Sequence, residues 1–196
     1  MKADFLVTVC ASGGGGNFEA VVEAQEAQGY RVNLLIVDRE CGAIDKADKH
    51  RIPCKQLNRA LPTSELLREM DRAIPDDTDL IVLAGFFPII GAELCRKWAG
   101  RMINTHPSLL PRYGGKGMYG VRVQEAVLAS GDSMAGCTVH YVDERIDGGE
   151  IILQQAVAVN AQETAWELGG RIFIEENRLL VQAIGLIMRK CGEPNV

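Results

Sequence analysis

Residues 5–17 read FLVTVCASGGGGN, an apolar run that passes directly into a loop of four glycines. Only Thr8 is polar within the run, and such a run is typical of a strand buried on both faces of a parallel sheet. The residues after the glycines, 17–28, have the pattern of a helix. A strand, a tight loop and a helix in this order are the repeating unit of doubly wound α/β folds. The opening stretch therefore predicts a sheet of the α/β class.

The same alternation continues along the chain. Further strands are predicted at residues 32–37, 53–57, 80–83, 102–105, 135–142 and 150–159, and helices at 43–50, 63–73, 91–98, 121–130 and 164–189. Thr63 is expected to be the N-cap of its helix. The last two strands flank Asp147-Gly148-Gly149, a pattern typical of an antiparallel hairpin. We therefore predict an α/β fold with a doubly wound, mostly parallel twisted sheet, Rossmann-like, with a C-terminal antiparallel hairpin and a long closing helix.

No repeat, low-complexity segment or linker interrupts residues 1–196, so one domain is expected. The net charge is -5, the isoelectric point is about 5.3, and lysines and arginines form no run. Nucleic acid is therefore not expected as a partner, because phosphate-backbone binding requires clustered cations. The longest apolar run, 80–92, is well short of the roughly 20 residues that span a bilayer. We expect a cytoplasmic protein with small-molecule partners and no membrane association, and the sequence leaves a homodimer open.

Cysteine and histidine spacing does not indicate a metal site. The six cysteines contain no CxxC pair, and there are three histidines. Cys137 and His140 are separated by an odd number of positions in a predicted strand, so their side chains point to opposite faces. We expect reduced thiols and no metal ion.

Four unusual segments follow predicted strands: residues 11–17, 84–90, 104–120 and 143–148. Open α/β sheets bind ligands at the carboxyl ends of their strands. We therefore expect the four segments to lie on the same edge of the sheet and to form a cleft.

The glycine loop has three interpretations. The favoured one is a phosphate cradle, because glycines let backbone amides approach an anion and the helix N-terminus favours negative charge. A tight turn with no ligand is the second. A dinucleotide site is the third, with Asp38 near the position of the ribose-binding acid, although the full spaced fingerprint is missing.

Asn104, His106 and Asp147 are the candidate chemical groups. An amide, an imidazole and a carboxylate suit acyl transfer, which needs a donor for an oxyanion, a proton-carrying ring and a carboxylate to orient it. The alternative for Asp147 is a plain hairpin turn residue, since Asp-Gly is common there. The apolar segment 84–90 is expected to form a wall for a flat heterocycle. The glycine-rich stretch 114–120 is expected to be a flap.

These motifs resemble the folate-dependent formyltransferase family. The resemblance rests on Leu83-Ala84-Gly85-Phe86, on Asn104-x-His106-Pro107-Ser108-Leu109-Leu110-Pro111, and on Asp147-Gly148-Gly149 followed by Ile151-Ile152-Leu153-Gln154. It implies a formyltransferase fold with Asn104, His106 and Asp147 as the catalytic residues. It also implies 10-formyltetrahydrofolate as co-substrate, without a metal. The most similar branch of the family formylates the amine of glycinamide ribonucleotide in purine biosynthesis.

The resemblance also assigns binding residues. Gly15, Gly16, Asn17 and Glu176 are expected to bind the phosphoribosyl substrate. The folate-binding residues are expected to be Phe87, Pro88, Ile89, Ile90, Asn104, Val142 and Asp143. The chain departs from the family at Gly16, where serine is frequent, and at Pro88, where a basic residue is common. Arg59 is a candidate for the arginine that meets the folate glutamate.

Two alternatives to this function stay open. Within the family, the acceptor could be an amino-sugar nucleotide. Outside it, the chain could be a non-catalytic nucleotide-binding module of Rossmann type, which would use the glycine loop but not the three candidate catalytic groups.

Overall fold

The computed structural model describes residues 4–192, which form seven strands and six helices. The strands are β1 (Phe5–Ala11), β2 (Tyr30–Val37), β3 (Cys54–Gln56), β4 (Leu80–Leu83), β5 (Met102–His106), β6 (Met134–Tyr141) and β7 (Ile151–Ala158). The helices are α1 (Gly16–Gln28), α2 (Ala43–His50), α3 (Thr63–Ala73), α4 (Ala92–Lys97), α5 (Val121–Ser130) and α6 (Ala165–Gly192). No helix in residues 4–192 combines the length and apolar character needed to cross a membrane.

The strands form one sheet in the order β3-β2-β1-β4-β5-β6-β7. Strands β1 to β5 are mutually parallel, whereas β6 is antiparallel to β5 and β7 is antiparallel to β6. The chain winds outward from β1 in one direction through β2 and in the other through β4. The strand order therefore reverses between β1 and β4, and ligands of open α/β sheets bind at such a switch point. The predicted fold class is confirmed.

Helices cover both faces of this sheet. Helices α1, α2, α5 and α6 pack on one face around Phe18, Leu35 and Ile184, which are fully buried. Helices α3 and α4 pack on the other face around Met70 and Met102. Coverage of both faces explains why all four residues of β4 are buried and why its sequence is continuously apolar.

Most predicted elements are confirmed to within two or three residues at each end. The predicted N-cap at Thr63 is wrong. The carbonyl of Pro62 accepts hydrogen bonds from the backbone amides of Glu65 and Leu66, so Pro62 is the cap and Thr63 is already helical. The third strand spans Cys54–Gln56, one residue shorter at each end than predicted, although Pro53 and Leu57 also bond to β2.

The expectation that four segments follow strands ending at the same edge is wrong for the last segment. Tyr141, which ends β6, lies opposite Ile103 near the start of β5, and the Val142 amide donates to the Met102 carbonyl. The loop at residues 142–150 therefore begins at the opposite edge of the sheet. It nevertheless brings Asp147 beside His106, the last residue of β5.

Candidate active site

The loops that follow β1 and β4 are bonded to each other at the switch point. The backbone amide of Ser12 donates to the Gly85 carbonyl at 3.0 Å. The Ser12 hydroxyl in turn accepts a hydrogen bond from the Phe87 amide at 2.9 Å. The glycine loop and the apolar segment at residues 84–90 therefore form one continuous rim at the carboxyl edge of the sheet.

The glycine loop ends at the N-terminus of α1. Gly15 has φ +71°, and a Cβ on it would lie 2.7 Å from the Cα of Ala43, so both its conformation and the close approach of α2 require glycine. Helix α1 begins at the next residue, where the first backbone amides of a helix lack partners within it. The loop therefore has the geometry of an anion cradle.

Phe173 of α6 covers Gly16. A Cβ on Gly16 would overlap the phenyl ring, which therefore occupies the space that a side chain at this position would need. The departure at Gly16 is thus paired with an aromatic residue on another helix. The two residues together set the shape of this side of the cradle.

Glu176 is a buried residue of α6. It accepts a hydrogen bond from the Thr105 hydroxyl at 2.8 Å and is 7% exposed. Burial raises the pKa of Glu176 to about 7, although hydrogen bonds from Thr105 and Asn17 oppose this rise. Glu176 thereby connects α6, β5 and the glycine loop. The Oδ1 atom of Asn17 is buried without a partner, which leaves an acceptor for a ligand donor.

Asn104 and His140 face each other across the β5–β6 ladder. Their side chains lie on the same face of the sheet, with Asn104 Nδ2 3.1 Å from His140 Nε2. His140 Nδ1 lies 2.8 Å from the carbonyl oxygen of its neighbour Tyr141. Burial lowers the pKa of His140 below its usual value.

His106 ends β5 and points to the same face as Asn104. Its Nε2 atom lies 2.8 Å from the Tyr113 carbonyl oxygen, which can only accept, so Nε2 carries a proton. Its Nδ1 atom lies 3.7 Å from Asp147 Oδ2. Both ring nitrogens thus face acceptors, an arrangement that suits the doubly protonated imidazolium. Because Nε2 is held by Tyr113, Nδ1 is the nitrogen available for chemistry.

Tyr113 is held in an unusual backbone conformation. Its φ is +55°, which is rare for a bulky residue. Its hydroxyl is bonded to Ser130 and Asp132, and Arg112 pairs with the same carboxylate at 2.7 Å. These side-chain bonds fix the residue whose carbonyl accepts the hydrogen bond from His106 Nε2–H.

Asp147 is held between the two histidines. Its Oδ2 atom accepts the Gly115 amide at 2.8 Å, and its Oδ1 atom lies 3.8 Å from His140 Nε2. Asp147 adopts φ +53°, a region that aspartate tolerates better than most residues. A Cβ on Gly149 would overlap the Tyr141 carbonyl oxygen, so glycine is required for the loop to pass this close to β6. The Asp-Gly-Gly motif therefore positions the Asp147 carboxylate as well as forming a turn.

The expected folate-binding residues other than Asn104 lie in two segments, 87–90 and 142–143. The side chains of Phe87 and Ile89 are 51% and 58% exposed. Ile90 and Val142 both pack against the hydrophobic core on the face of the sheet that α3 and α4 cover. The Cys95 thiol contacts the carbonyl of Asp143 at 3.3 Å and that of Ile90 at 3.9 Å. Cys95 therefore ties the 84–90 segment to the loop that carries Asp147.

Arg59, expected at the glutamate end of a folate, pairs with Asp38, as does Arg39 at 2.9 Å. Burial favours the neutral form of Asp38, but hydrogen bonds from Arg39 and Ser12 outweigh it and lower the pKa. A carboxylate already bound in this way is a poor ribose ligand, which disfavours the dinucleotide interpretation. The two arginines carry one charge more than the single carboxylate neutralises, and Arg39 also lies 5.0 Å from the centre of the Phe87 ring.

Two other features of residues 4–192 could hold a ligand, and neither contains Asn104, His106 or Asp147. A cavity of about 660 Å³ lies beside Arg31 and Arg51, near the start of β2. Glu19, Glu23 and His50 bring ligand atoms within 4.8 Å of one another. The Glu19 carboxylate is already bound by Lys46 and Lys49 at 2.5 and 2.8 Å, so this cluster is an ion-pair network.

The contributors to the site that could not be predicted from sequence include Tyr113, His140 and Phe173. Phe173 contacts a residue far from it in the chain, His140 is aligned with Asn104 by the register of two strands, and Tyr113 contacts His106 through a loop. His140 has a local signal, since it is an ionisable residue in a strand whose other residues carry no charge.

The chain is similar to known proteins of one family. A profile of the family described as formyl transferase matches residues 6–184. The chloroplastic phosphoribosylglycinamide formyltransferase of Vigna unguiculata is 36% identical over 96% of this chain and 64% of its own length. The protein of the same name from Arabidopsis thaliana is 37% identical over 92% of this chain and 64% of its own length. A solved phosphoribosylglycinamide formyltransferase structure from Bacillus halodurans matches with a TM-score of 0.86 at 32% identity, covering 95% of this chain and 96% of that one.

The chain therefore belongs to the formyl transferase family, as the motif resemblance predicts. It spans about 64% of the length of the two plant relatives.

Proposed function

We propose that the protein transfers a formyl group from 10-formyltetrahydrofolate to the primary amine of glycinamide ribonucleotide, a reaction of purine biosynthesis. The observation that carries the proposal is the convergence of Asn104, His106 and Asp147 beside an anion cradle. The names of the relatives support the choice of acceptor. A plain nucleotide-binding module would have no need for the three polar groups.

The reaction begins when the amine attacks the formyl carbon and generates a tetrahedral oxyanion. Asn104 donates an amide hydrogen to this oxyanion, and a donor in such a position contributes roughly 3 kcal/mol to catalysis. His106 acts as the imidazolium and presents Nδ1–H, since Nε2–H is bonded to the Tyr113 carbonyl. Its positive charge stabilises the negative charge that develops on oxygen.

Asp147 stabilises that imidazolium and moves a proton. It lies 3.7 Å from His106 Nδ1, beyond hydrogen-bond distance but close enough for a strong charge interaction. The attacking amine must lose a proton, and the departing folate nitrogen must gain one. Asp147 relays this proton through water, so neither a covalent enzyme intermediate nor a metal is needed.

The acceptor is held by the elements around α1. Its phosphate binds the first amides of α1 through Gly15, Gly16 and Asn17, where the helix dipole favours an anion. Glu176 lies between this cradle and β5 and meets the sugar or the glycinamide. Binding at these two points directs the amine toward Asn104 and His106.

The folate is held on the opposite side of the cleft. Its ring packs between Ile90 and the backbone of Val142 and Asp143, and Phe87 and Ile89 provide the exposed apolar wall. Arg39 and Arg59 bear the surplus positive charge beside Phe87 and meet the glutamate carboxylates. Pro88 contributes shape to this wall but neither charge nor an amide donor.

The direct test is a formyl-transfer assay with a deaza analogue of the folate, whose absorbance reports loss of the formyl group. Loss that requires glycinamide ribonucleotide is the expected result. Loss without any acceptor would instead indicate hydrolysis of the folate. Transfer only to an amino-sugar nucleotide would keep the reaction class and change the acceptor.

An inactive protein that still binds the nucleotide would favour the non-catalytic module. Equilibrium dialysis with glycinamide ribonucleotide distinguishes that outcome from failure to bind. In the module, substituting Asn104, His106 or Asp147 would leave this binding unchanged.

A further inference from the structure

His140 and His106 are the two imidazoles next to Asp147, but their surroundings differ. Both nitrogens of His106 face acceptors, the Tyr113 carbonyl and the Asp147 carboxylate. His140 faces an acceptor at Nδ1, the Tyr141 carbonyl. At Nε2 its nearest partner is the Asn104 amide nitrogen at 3.1 Å, and Asp147 Oδ1 is farther away at 3.8 Å. The first arrangement suits a charged ring, and the second suits a neutral one.

The contacts of His140 define its tautomer. A carbonyl oxygen has no proton to donate, so Nδ1 of His140 must carry the hydrogen in its 2.8 Å bond to Tyr141. In the neutral ring Nε2 then has a free lone pair, which accepts a hydrogen from Asn104 Nδ2 at 3.1 Å. Burial also disfavours the charged ring and lowers the pKa of His140.

This bond also fixes the orientation of the Asn104 amide. The two ends of an asparagine amide are nearly equal in shape and exchange by a half-turn of the side chain. With Nδ2 at His140, one amide hydrogen is bonded and the second stays free to donate. After a half-turn, Oδ1 would face the lone pair of Nε2, and two acceptors would repel each other.

We propose that His140 is a positioning residue that holds Asn104 with its amide nitrogen, rather than its carbonyl oxygen, toward the reacting oxyanion. The inference rests on the proposed role of Asn104 as an oxyanion donor. His140 acts through Asn104 and does not touch the substrates. A flipped Asn104 would present a carbonyl oxygen to the oxyanion and raise the barrier instead of lowering it.

Two variants separate the bond at His140 Nε2, to Asn104, from the bond at Nδ1, to the Tyr141 carbonyl. They are His140→Gln and His140→Asn. Glutamine extends far enough to place an acceptor near the position of Nε2, whereas asparagine is shorter and retains only the Nδ1-side contact. We expect kcat to fall about 10- to 100-fold in His140→Asn with KM changed little, and to be partly restored in His140→Gln. Equal losses in both variants, or a loss in KM alone, would overturn the positioning role.

A second measurement does not depend on activity. The chain has only three histidines, so ring ¹⁵N spectra of the protein labelled at histidine can be assigned with His140→Gln and with His50→Gln as the matched control. We expect His140 to show a protonated Nδ1 and an unprotonated Nε2 at neutral pH. A protonated Nε2 would refute the inference whatever the kinetics of the variants.

The two readouts also separate this inference from the proposed function. A wild-type protein that transfers no formyl group, but has the expected tautomer, would refute the function and leave the His140–Asn104 geometry standing. A wild-type protein that transfers formyl, with His140→Asn at full kcat, would refute the positioning role alone.

Discussion

The Oδ2 atom of Asp147 lies 3.7 Å from Nδ1 of His106, although His106 ends β5 and Asp147 belongs to a loop that begins at the opposite edge of the sheet. The loop at 142–150 leaves β6 beside the start of β5 and carries Asp147 to the end of β5. This crossing depends on close backbone packing against Tyr141. The charge pair at the centre of the site is therefore determined by the path of one loop.

The path of that loop can be tested at Gly149. A methyl group there would overlap the Tyr141 carbonyl, so the backbone must move. We expect Gly149→Ala to lower the free energy of unfolding by about 1–3 kcal/mol, a typical cost of overpacking, and to reduce kcat by displacing Asp147. Denaturant unfolding and steady-state kinetics measure the two effects.

Gly170→Ala is the matched control for this substitution. Gly170 lies on α6 with no atom within 4 Å of an added Cβ, and alanine favours a helix more than glycine. This variant should be as stable as the wild type or more so. Gly149→Ala with unchanged stability and kcat would mean that the loop does not depend on the close approach.

The raised pKa of Glu176 predicts how the stability of the protein depends on pH. Its pKa is raised to about 7 in the fold from an ordinary value of 4.5, so the folded protein holds this proton more tightly than the unfolded chain. The resulting stabilisation is fully present below pH 4.5 and is lost as pH rises through about 7, and it amounts to on the order of 3 kcal/mol.

Glu176→Gln removes this titration and keeps an acceptor for Thr105. The free energy of unfolding of the variant minus that of the wild type should therefore rise between pH 5 and pH 8. Urea unfolding of both proteins across this range measures the difference. A difference that stays constant or falls would show that Glu176 is not protonated preferentially in the fold.

Gly16 and Phe173 should behave as a coupled pair. A serine at Gly16 must displace the Phe173 ring, whereas removal of the ring makes room for the hydroxyl. We expect Gly16→Ser to destabilise the wild type more than the Phe173→Ala background, with a coupling of about 0.5–3 kcal/mol. Thermal unfolding of the four proteins completes the cycle, and additive effects would exclude the coupling.

Much of the fold could be predicted because its signals are local. The β4 sequence Leu80–Leu83 is apolar at every position since both faces are covered, and Gly131 ends α5 in the left-handed conformation. The glycine loop after β1 was also placed at the right strand end. These features follow from backbone chemistry and burial within a few residues.

The features that could not be predicted arise from contacts between distant segments. The alignment of Asn104 with His140 depends on strand register, and a shift of one residue would turn His140 to the other face. The meeting of Phe173 with Gly16 depends on how α6 packs beside α1. The route of Asp147 across the edge of the sheet likewise has no signal in the Asp-Gly-Gly motif itself.

The most direct test of the proposed chemistry is kcat for formyl transfer by Asp147→Asn. Asparagine keeps an oxygen for the Gly115 amide but removes the charge beside His106 and the proton-accepting group. Glu150→Gln, an exposed substitution in the same loop, is the matched control. We predict that Asp147→Asn lowers kcat at least about 100-fold at unchanged thermal stability, while Glu150→Gln retains full activity. An Asp147→Asn protein that turns over near the wild-type rate would contradict the assignment of Asp147 and the mechanism built on it.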